Sequence, residues 1–278
     1  MPLHTPDNFV SSHALPTVLP GAAFVFAFSD AKLLVRGTED APTVPTLEET
    51  RAAGVDGVRH YLGELAGVGC IAMVLPGDAS APAGFRFSGL RPLFFRLPEP
   101  LLAIAARASQ VAEWDRTHRF CGRCGTPTRN RAEERAKECP ACGYVAYPRL
   151  SPAMMALVIR GRELLLARAN RFPQAMYSAL AGFVEPGETI EDCVRREVKE
   201  EVGIDIDDIT YFASQSWSFP HSLMIAYTAR YAGGELRADG TEIADVRWFP
   251  ADALPDRPQS LSIARYLIDT TAARLRGD

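Results

Sequence analysis

Short apolar runs separated by turn residues recur at both ends of this chain. Near the N-terminus, "AAFVFAF" and "KLLVRG" flank Ser29-Asp30 and read as two strands joined by a turn. "VGCIAMVL" reads as another buried strand, and "TLEETRAAG" as a short helix ending at Gly54. Pro98 and Pro100 then punctuate the chain. After them "LLAIAARASQVAEWDRTHRF" spaces its apolar residues three and four apart, which predicts a helix. Strand patterns return as "AMMALVI", "ELLLAR" and "SALAGFV". An acidic segment follows, then "ITYFASQSW", "SLMIAYTARY", "DVRWF" and a terminal helix over roughly 259–275. The pattern predicts an α/β domain over 1–97, a connecting helix over 98–118, a cysteine module over 119–149 and a second α/β domain over 150–278. There is no repeat of short period and no low-complexity tract.

Composition narrows the function classes. The chain has 278 residues and a formal net charge of −4, which argues against a polyanion binder held by bulk electrostatics. Nothing approaches 18 consecutive apolar residues, so no membrane span is expected. "MPLHTPDNFV" lacks a basic stretch followed by an apolar run, so no export signal is read and a cytoplasmic location is expected. Residues 1–95 show no clustered His, Cys or carboxylates at a catalytic spacing, and read as a scaffold or dimerisation domain.

Four of the six cysteines form "CGRCGTPTRNRAEERAKECPACG": C-x2-C, fourteen residues, C-x2-C. Cys121, Cys124, Cys139 and Cys142 each lie in a turn, with glycine after the second cysteine of each pair. Four thiolates suit a closed tetrahedral Zn2+ site, which is structural. A redox pair would not need a second copy. Around it lie Arg119, Arg123, Arg129, Arg131, Arg135, Lys137 and Arg149 against Glu133, Glu134 and Glu138. Contact with nucleic acid and a solvated surface on a structural clip both remain open for this basic lean.

The segment "GFVEPGETIEDCVRREVKEEVGI", residues 182–204, carries seven carboxylates. Read as a helix over 188–202, it puts Glu197, Glu200 and Glu201 at i, i+3 and i+4, on one face. Like charges so placed disfavour the helix. A divalent cation removes that repulsion, and hard carboxylate oxygens suit Mg2+ or Mn2+. Arg196 is placed to neutralise a neighbouring carboxylate, with Glu188 its natural partner, and Gly203 ends the helix as a C-cap.

The pattern G-x5-E-x7-R-E-V-K-E-E-V-G-I is filled by Gly182, Glu188, Arg196, Glu197, Val198, Glu200, Glu201, Gly203 and Ile204. It resembles the Nudix box without a mismatch. The resemblance implies a Nudix α/β/α sandwich around a mixed sheet, preceded here by a zinc ribbon and an N-terminal, Nudix-like α/β domain. Downstream, "SQSWSFPHS" at 214–222 is similar to the SQPWPFPxS signature of bacterial NADH pyrophosphatases, with Ser216 and Ser218 where that family has proline. Those enzymes split NAD(H) into AMP and nicotinamide mononucleotide and remove the NAD cap from RNA 5′ ends. Two rival readings are an ADP-ribose or other nucleoside-diphosphate hydrolase, and a nucleic-acid-binding regulator with an inactive Nudix domain. Three aligned, mutually repelling glutamates speak against the second.

Carried over residue by residue, the resemblance implies catalytic roles for Glu188, Arg196, Glu197, Glu200 and Glu201. It implies Mg2+ or Mn2+ ligands at Glu197, Glu200, Glu201, Glu242 and the Ala181 carbonyl. Tyr147 and Phe183 would pack on the base or ribose. Gln215, Ser216, Trp217, Ser218, Phe219, Pro220, His221, Ser222, Met224 and Ala264 would line the substrate site. Trp217 and Phe219 also offer flat faces for stacking on nicotinamide or adenine, and serines in place of proline would leave their loop freer. Because Ser222 and Met224 reach the neighbouring subunit in that family, a homodimer is implied. Cys70 and Cys193 read as packed thiols.

Overall fold

The computed structural model describes residues 2–170 and 176–277, and these fall into two compact units. One comprises His4–Arg149 together with Ser218–His221. In chain order it contains β1 (Phe9–Ser11), β2 (Phe24–Ser29), β3 (Lys32–Gly37), β4 (Pro42–Thr43) and α1 (Leu47–Ala52). Then come β5 (Val58–Leu65), β6 (Val68–Val74), β7 (Phe85–Gly89), α2 (Leu90–Leu93) and α3 (Glu99–Thr117). The sheet runs β1-β5-β6-β2-β3-β4, with β7 also on β3. Only β2 and β6 pair in parallel. Residues alternate across it as the strand period demands. Val25, Ala27, Ile71 and Met73 pack with Leu47 of α1, while the intervening Phe26, Phe28 and Ala72 are buried too. The α3 helix packs along β6, β2 and β5.

The cysteine module follows as a three-stranded sheet of β8 (Arg129–Asn130), β9 (Lys137–Glu138) and β10 (Val145–Ala146). So short a segment cannot build its own core, and it docks through cations instead. Arg135 Nη2 donates to the Ser12 and Tyr61 carbonyls at 3.1 and 2.9 Å. Lys137 Nζ is buried 2.9 Å from Asp115 Oδ1, which also lies 2.8 Å from His60 Nε2. Burial pushes the Asp115 carboxyl up, but the bonds and charges of His60 and Lys137 outweigh it and hold it below its ordinary value. Arg129 and Arg131 pair with Glu138 and with Glu133 and Glu134. Much of the basic lean is therefore internal to the fold. Asp115→Asn should cost about 3–5 kcal/mol, because it strands the Lys137 ammonium in the interior; denaturant unfolding would measure it, and a loss below 1 kcal/mol would contradict it.

The other unit comprises Leu150–Trp217 and Ser222–Asp278 with the first residues of the chain. Its elements are β11 (Ser151–Arg160), β12 (Glu163–Ala169), β13 (Leu180–Phe183), α4 (Ile190–Val202), β14 (Ile204–Trp217), β15 (Ser222–Gly234), β16 (Ile243–Pro250) and α5 (Ile263–Arg276). The sheet order is β14-β15-β11-β12-β16, with β13 also on β11. Again one pair, β11 with β15, is parallel. Met154, Ala156 and Val158 of β11 face Val194 and Val198 of α4. Met155 and Leu157 belong with Leu267 and Ile268 of α5. Alternate residues thus serve two helix layers, and the α/β/α sandwich follows.

The two sheets share a topology. The order β5-β6-β2-β3-β7 repeats β14-β15-β11-β12-β16, parallel pair included. The place of α4 is taken by α1, six residues long. Its Glu49 is spent in a capping box with Thr46 and in an ion pair with Arg36. The chain contains a fold duplicated without its acidic helix, a repeat too diverged to register as sequence periodicity.

Candidate active site

The acidic helix begins two residues later than its charge pattern predicts. Thr189 is the N-cap, accepting from the Asp192 amide at 3.2 Å, so Glu188 lies in the preceding turn. Gly203 ends the helix in the left-handed conformation, φ 79°. The terminal helix likewise starts at Ile263, where Ser262 caps it, not near 259.

Arg196 is the hub of the site. Its Nε and Nη2 donate to both Glu188 oxygens at 2.9–3.0 Å. Its Nη1 donates to Glu197 Oε1 at 2.9 Å and to Glu200 Oε2 at 3.0 Å, and Nη2 also reaches the Phe183 carbonyl at 3.1 Å. The guanidinium holds the Glu188 carboxyl below its usual value, and the carboxylates in turn keep Arg196 firmly protonated. Arg196 meets Glu188 as expected, and it also reaches two of the helix carboxylates. One planar cation already bridges three of the carboxylates.

Glu197 lies against the backbone. A Cβ on Gly182 would overlap its carboxylate, which is why the box opens on glycine beside Ala181. Burial pushes the Glu197 carboxyl up; Arg196 opposes this, while the charges of Glu200 and Glu242 add to it. Glu242 is thus electrostatically coupled to the helix carboxylates across sequence. Gly182→Ala should displace Glu197 and cost about 10²-fold in kcat, with an unchanged circular dichroism spectrum; near-normal turnover would contradict this.

The α4 residues Cys193, Val194, Val198, Glu201 and Val202 are buried, and one of them is a glutamate. Glu201 sits at the core-facing edge of the helix, 7% exposed, while Glu200 points outward. Carboxylates with a neighbouring carbonyl are the hard oxygen donors a divalent cation of the Mg2+ class takes. Among the described residues, though, only the four cysteines bring their ligand atoms within 4.8 Å of one another.

That cysteine cluster meets a geometric test. Zn–S bonds of about 2.3 Å give a tetrahedron with edges of about 3.8 Å. Cys121 and Cys142 sulfurs lie 3.7 Å apart, Cys124 and Cys142 3.6 Å, and Cys124 and Cys139 3.4 Å. Two matching turns build it. The Gly125 and Gly143 amides donate back to the Cys121 and Cys139 carbonyls, each glycine at a positive φ that its turn requires. The residues fit zinc.

Several residues expected along the substrate loop are engaged elsewhere. The Gln215 amide is consumed in a staple: Nε2 donates to the Leu261 and Leu3 carbonyls, and Oε1 accepts from the Ile263 amide. Ala264, in the first turn of α5, is buried in the core. Ser216 and Trp217 pair with Leu223 and Ser222 in the β14–β15 ladder, and Ser218 is buried. One face of the Phe219 ring is covered by Arg91, whose guanidinium carbon lies 4.4 Å from the ring centre. Tyr147 and Phe183 are exposed, and Met224 lies partly buried against the core near α5. His221, next to Pro220, lines a cavity of about 270 Å³ with Trp114, His118 and Arg149. Cys70 and Cys193 are buried thiols, each pushed up to about 11 by burial. Sequence reasoning missed Arg91, Phe94 and the His60–Asp115–Lys137 cluster, since no local spacing signals them.

Three family models match the chain in series. The NADH pyrophosphatase-like rudimentary NUDIX domain matches residues 22–114, the NADH pyrophosphatase zinc ribbon domain 116–147, and the NUDIX domain 149–269. A protein of Stutzerimonas stutzeri called NAD-capped RNA hydrolase NudC is 49% identical over 84% of this chain and 81% of its own length. One of the same name from Chromobacterium violaceum is 50% identical over 78% of this chain and 82% of its own. Another, from Deinococcus radiodurans, is 40% identical over 99% of this chain and 96% of its own. With the box, the ribbon and the duplicated domain each matched in order, the chain belongs to the NADH pyrophosphatase and NAD-capped RNA hydrolase family of Nudix hydrolases.

Proposed function

We propose that the protein hydrolyses the pyrophosphate bond of NAD(H), giving AMP and nicotinamide mononucleotide, and removes the NAD cap from RNA 5′ ends. The observation that carries this reading is the intact constellation around Arg196, with the Glu197 carboxylate laid over Gly182 and Glu201 buried beside it. It is joined by the sequence likeness, over most of both chains, to proteins called NAD-capped RNA hydrolases. Glu197, Glu200, Glu201, Glu242 and the Ala181 carbonyl would hold Mg2+ or Mn2+. When bound, such a cation neutralises charge on the two phosphates and acidifies water for in-line attack. Arg196 orients the carboxylates, and Glu188 fixes Arg196. Glu201, the most buried of the three helix carboxylates, would position the attacking water. Exposed Tyr147 and Phe183 would pack against base or ribose. Trp217, at the end of β14, would stack on the nicotinamide, beside Ser222 and Met224.

Zn2+ on the four cysteines would be structural. Metal-bound thiolates suit a reducing compartment, in keeping with action in the cytoplasm. Among the described residues no helix is long and apolar enough to cross a membrane. We further propose a homodimer, which sedimentation would test. The function is tested by incubating the protein and Mg2+ with NADH, ADP-ribose and NAD-capped RNA in parallel. The expected order places both NAD-containing substrates ahead of ADP-ribose, and the reverse order would overturn the assignment.

A further inference from the structure

The β14–β15 ladder ends at the pair Trp217↔Ser222, leaving Ser218–His221 as the turn. By their contacts these four residues belong with His4–Arg149. The Phe219 ring is gripped from two directions. Phe94 meets it edge-on, ring centres 6.1 Å apart and planes at 69°, and the Arg91 guanidinium lies over its face. Arg91 is itself exposed and, among the described residues, makes no ion pair; its guanidinium stacks on Phe219. A guanidinium over an aromatic face combines quadrupole attraction with planar stacking. Ser218, beside Phe219, is buried. The turn is held before any substrate arrives.

We infer that Arg91 and Phe94 are positioning residues: by clamping Phe219 they fix the turn joining Trp217 to Ser222, and so make the N-terminal domain a determinant of affinity for the dinucleotide. The inference rests on the proposed function for its substrate, and on Phe219 being an anchor instead of a stacking surface. A loop ordered in advance loses less entropy on binding. The clamp thereby does the work that the missing prolines at Ser216 and Ser218 would do through the backbone. Releasing it weakens ground state and transition state alike, which raises KM and spares kcat.

The test uses the full-length enzyme with its zinc, comparing wild type, Arg91→Ala, Arg91→Lys and Phe94→Leu. The exposed Arg91 carries it, because Phe94 is buried and its loss also disturbs packing. Amide hydrogen exchange over residues 216–223 and steady-state kinetics with NADH and Mg2+ are read together. For Arg91→Ala, exchange should accelerate about tenfold or more and KM should rise about tenfold, with kcat within about twofold. Arg91→Lys should recover part of both, and Phe94→Leu should shift both the same way. Unchanged exchange in Arg91→Ala would overturn the clamp. Faster exchange with an unchanged KM would overturn its role in affinity. If wild type hydrolysed no NADH, the functional reading would fall, while accelerated exchange in Arg91→Ala would still support the clamp.

Discussion

Glu201→Gln is expected to lower kcat for NADH by about 10³-fold or more, or about 4 kcal/mol of transition-state stabilisation, while leaving the protein at least as stable as wild type. Glu201 occupies a core-facing position of α4, between Val198 and Val202. A buried carboxylate costs free energy, so glutamine, of the same shape and uncharged, should relieve the helix instead of weakening it. The same change would remove the negative charge proposed to hold the cation and orient water. Glu200, much more exposed and bonded to Arg196, should be the more tolerant of the pair. Steady-state kinetics with thermal unfolding decides the matter. A variant keeping a tenth of wild-type kcat would remove Glu201 from the mechanism, and one that is inactive because it unfolds would give it a structural role instead.

Cys139→Ser should produce the largest loss of stability. Structural zinc in isolated finger peptides contributes about 10–16 kcal/mol to folding, and here the cysteine module has little core of its own. Cys139 is buried, two residues beyond Lys137, so loosening the metal end loosens the strand that carries the ammonium to Asp115. Arg135, on the same strand approach, closes the Ser12 and Tyr61 carbonyls. We expect one zinc per chain in the wild type. In the variant, a fall in melting temperature of about 10 °C or more should accompany zinc loss. Wild-type protein free of zinc, with its thiols paired as disulfides, would contradict this.

What was legible in the sequence was what local spacing encodes. The carboxylates at i, i+3 and i+4, the paired C-x2-C turns and the alternating strands each report a geometry within a few residues of chain. The Arg196–Glu188 pair was readable for the same reason, being one loop and two helical turns apart. Contacts closed by the tertiary fold were not. Nothing near Phe219 in the sequence announces its contacts with Arg91 and Phe94. Nothing near Gln215 announces the Leu3 and Leu261 carbonyls that take up its amide. The basic lean of the module left nucleic-acid contact and a solvated surface both open, and no local spacing signals that Arg135 and Lys137 turn inward to Ser12, Tyr61 and Asp115. The Nudix-like character of the first domain came only from the family resemblance, because that copy keeps the topology without the acidic helix that makes the second recognisable.

The most direct measurement is product analysis of NADH incubated with the purified protein and Mg2+. Hydrolysis at the pyrophosphate predicts AMP and reduced nicotinamide mononucleotide in equal amounts, abolished by chelation and by Glu201→Gln. Intact NADH alongside rapid turnover of ADP-ribose, or nicotinamide released without AMP, would contradict it.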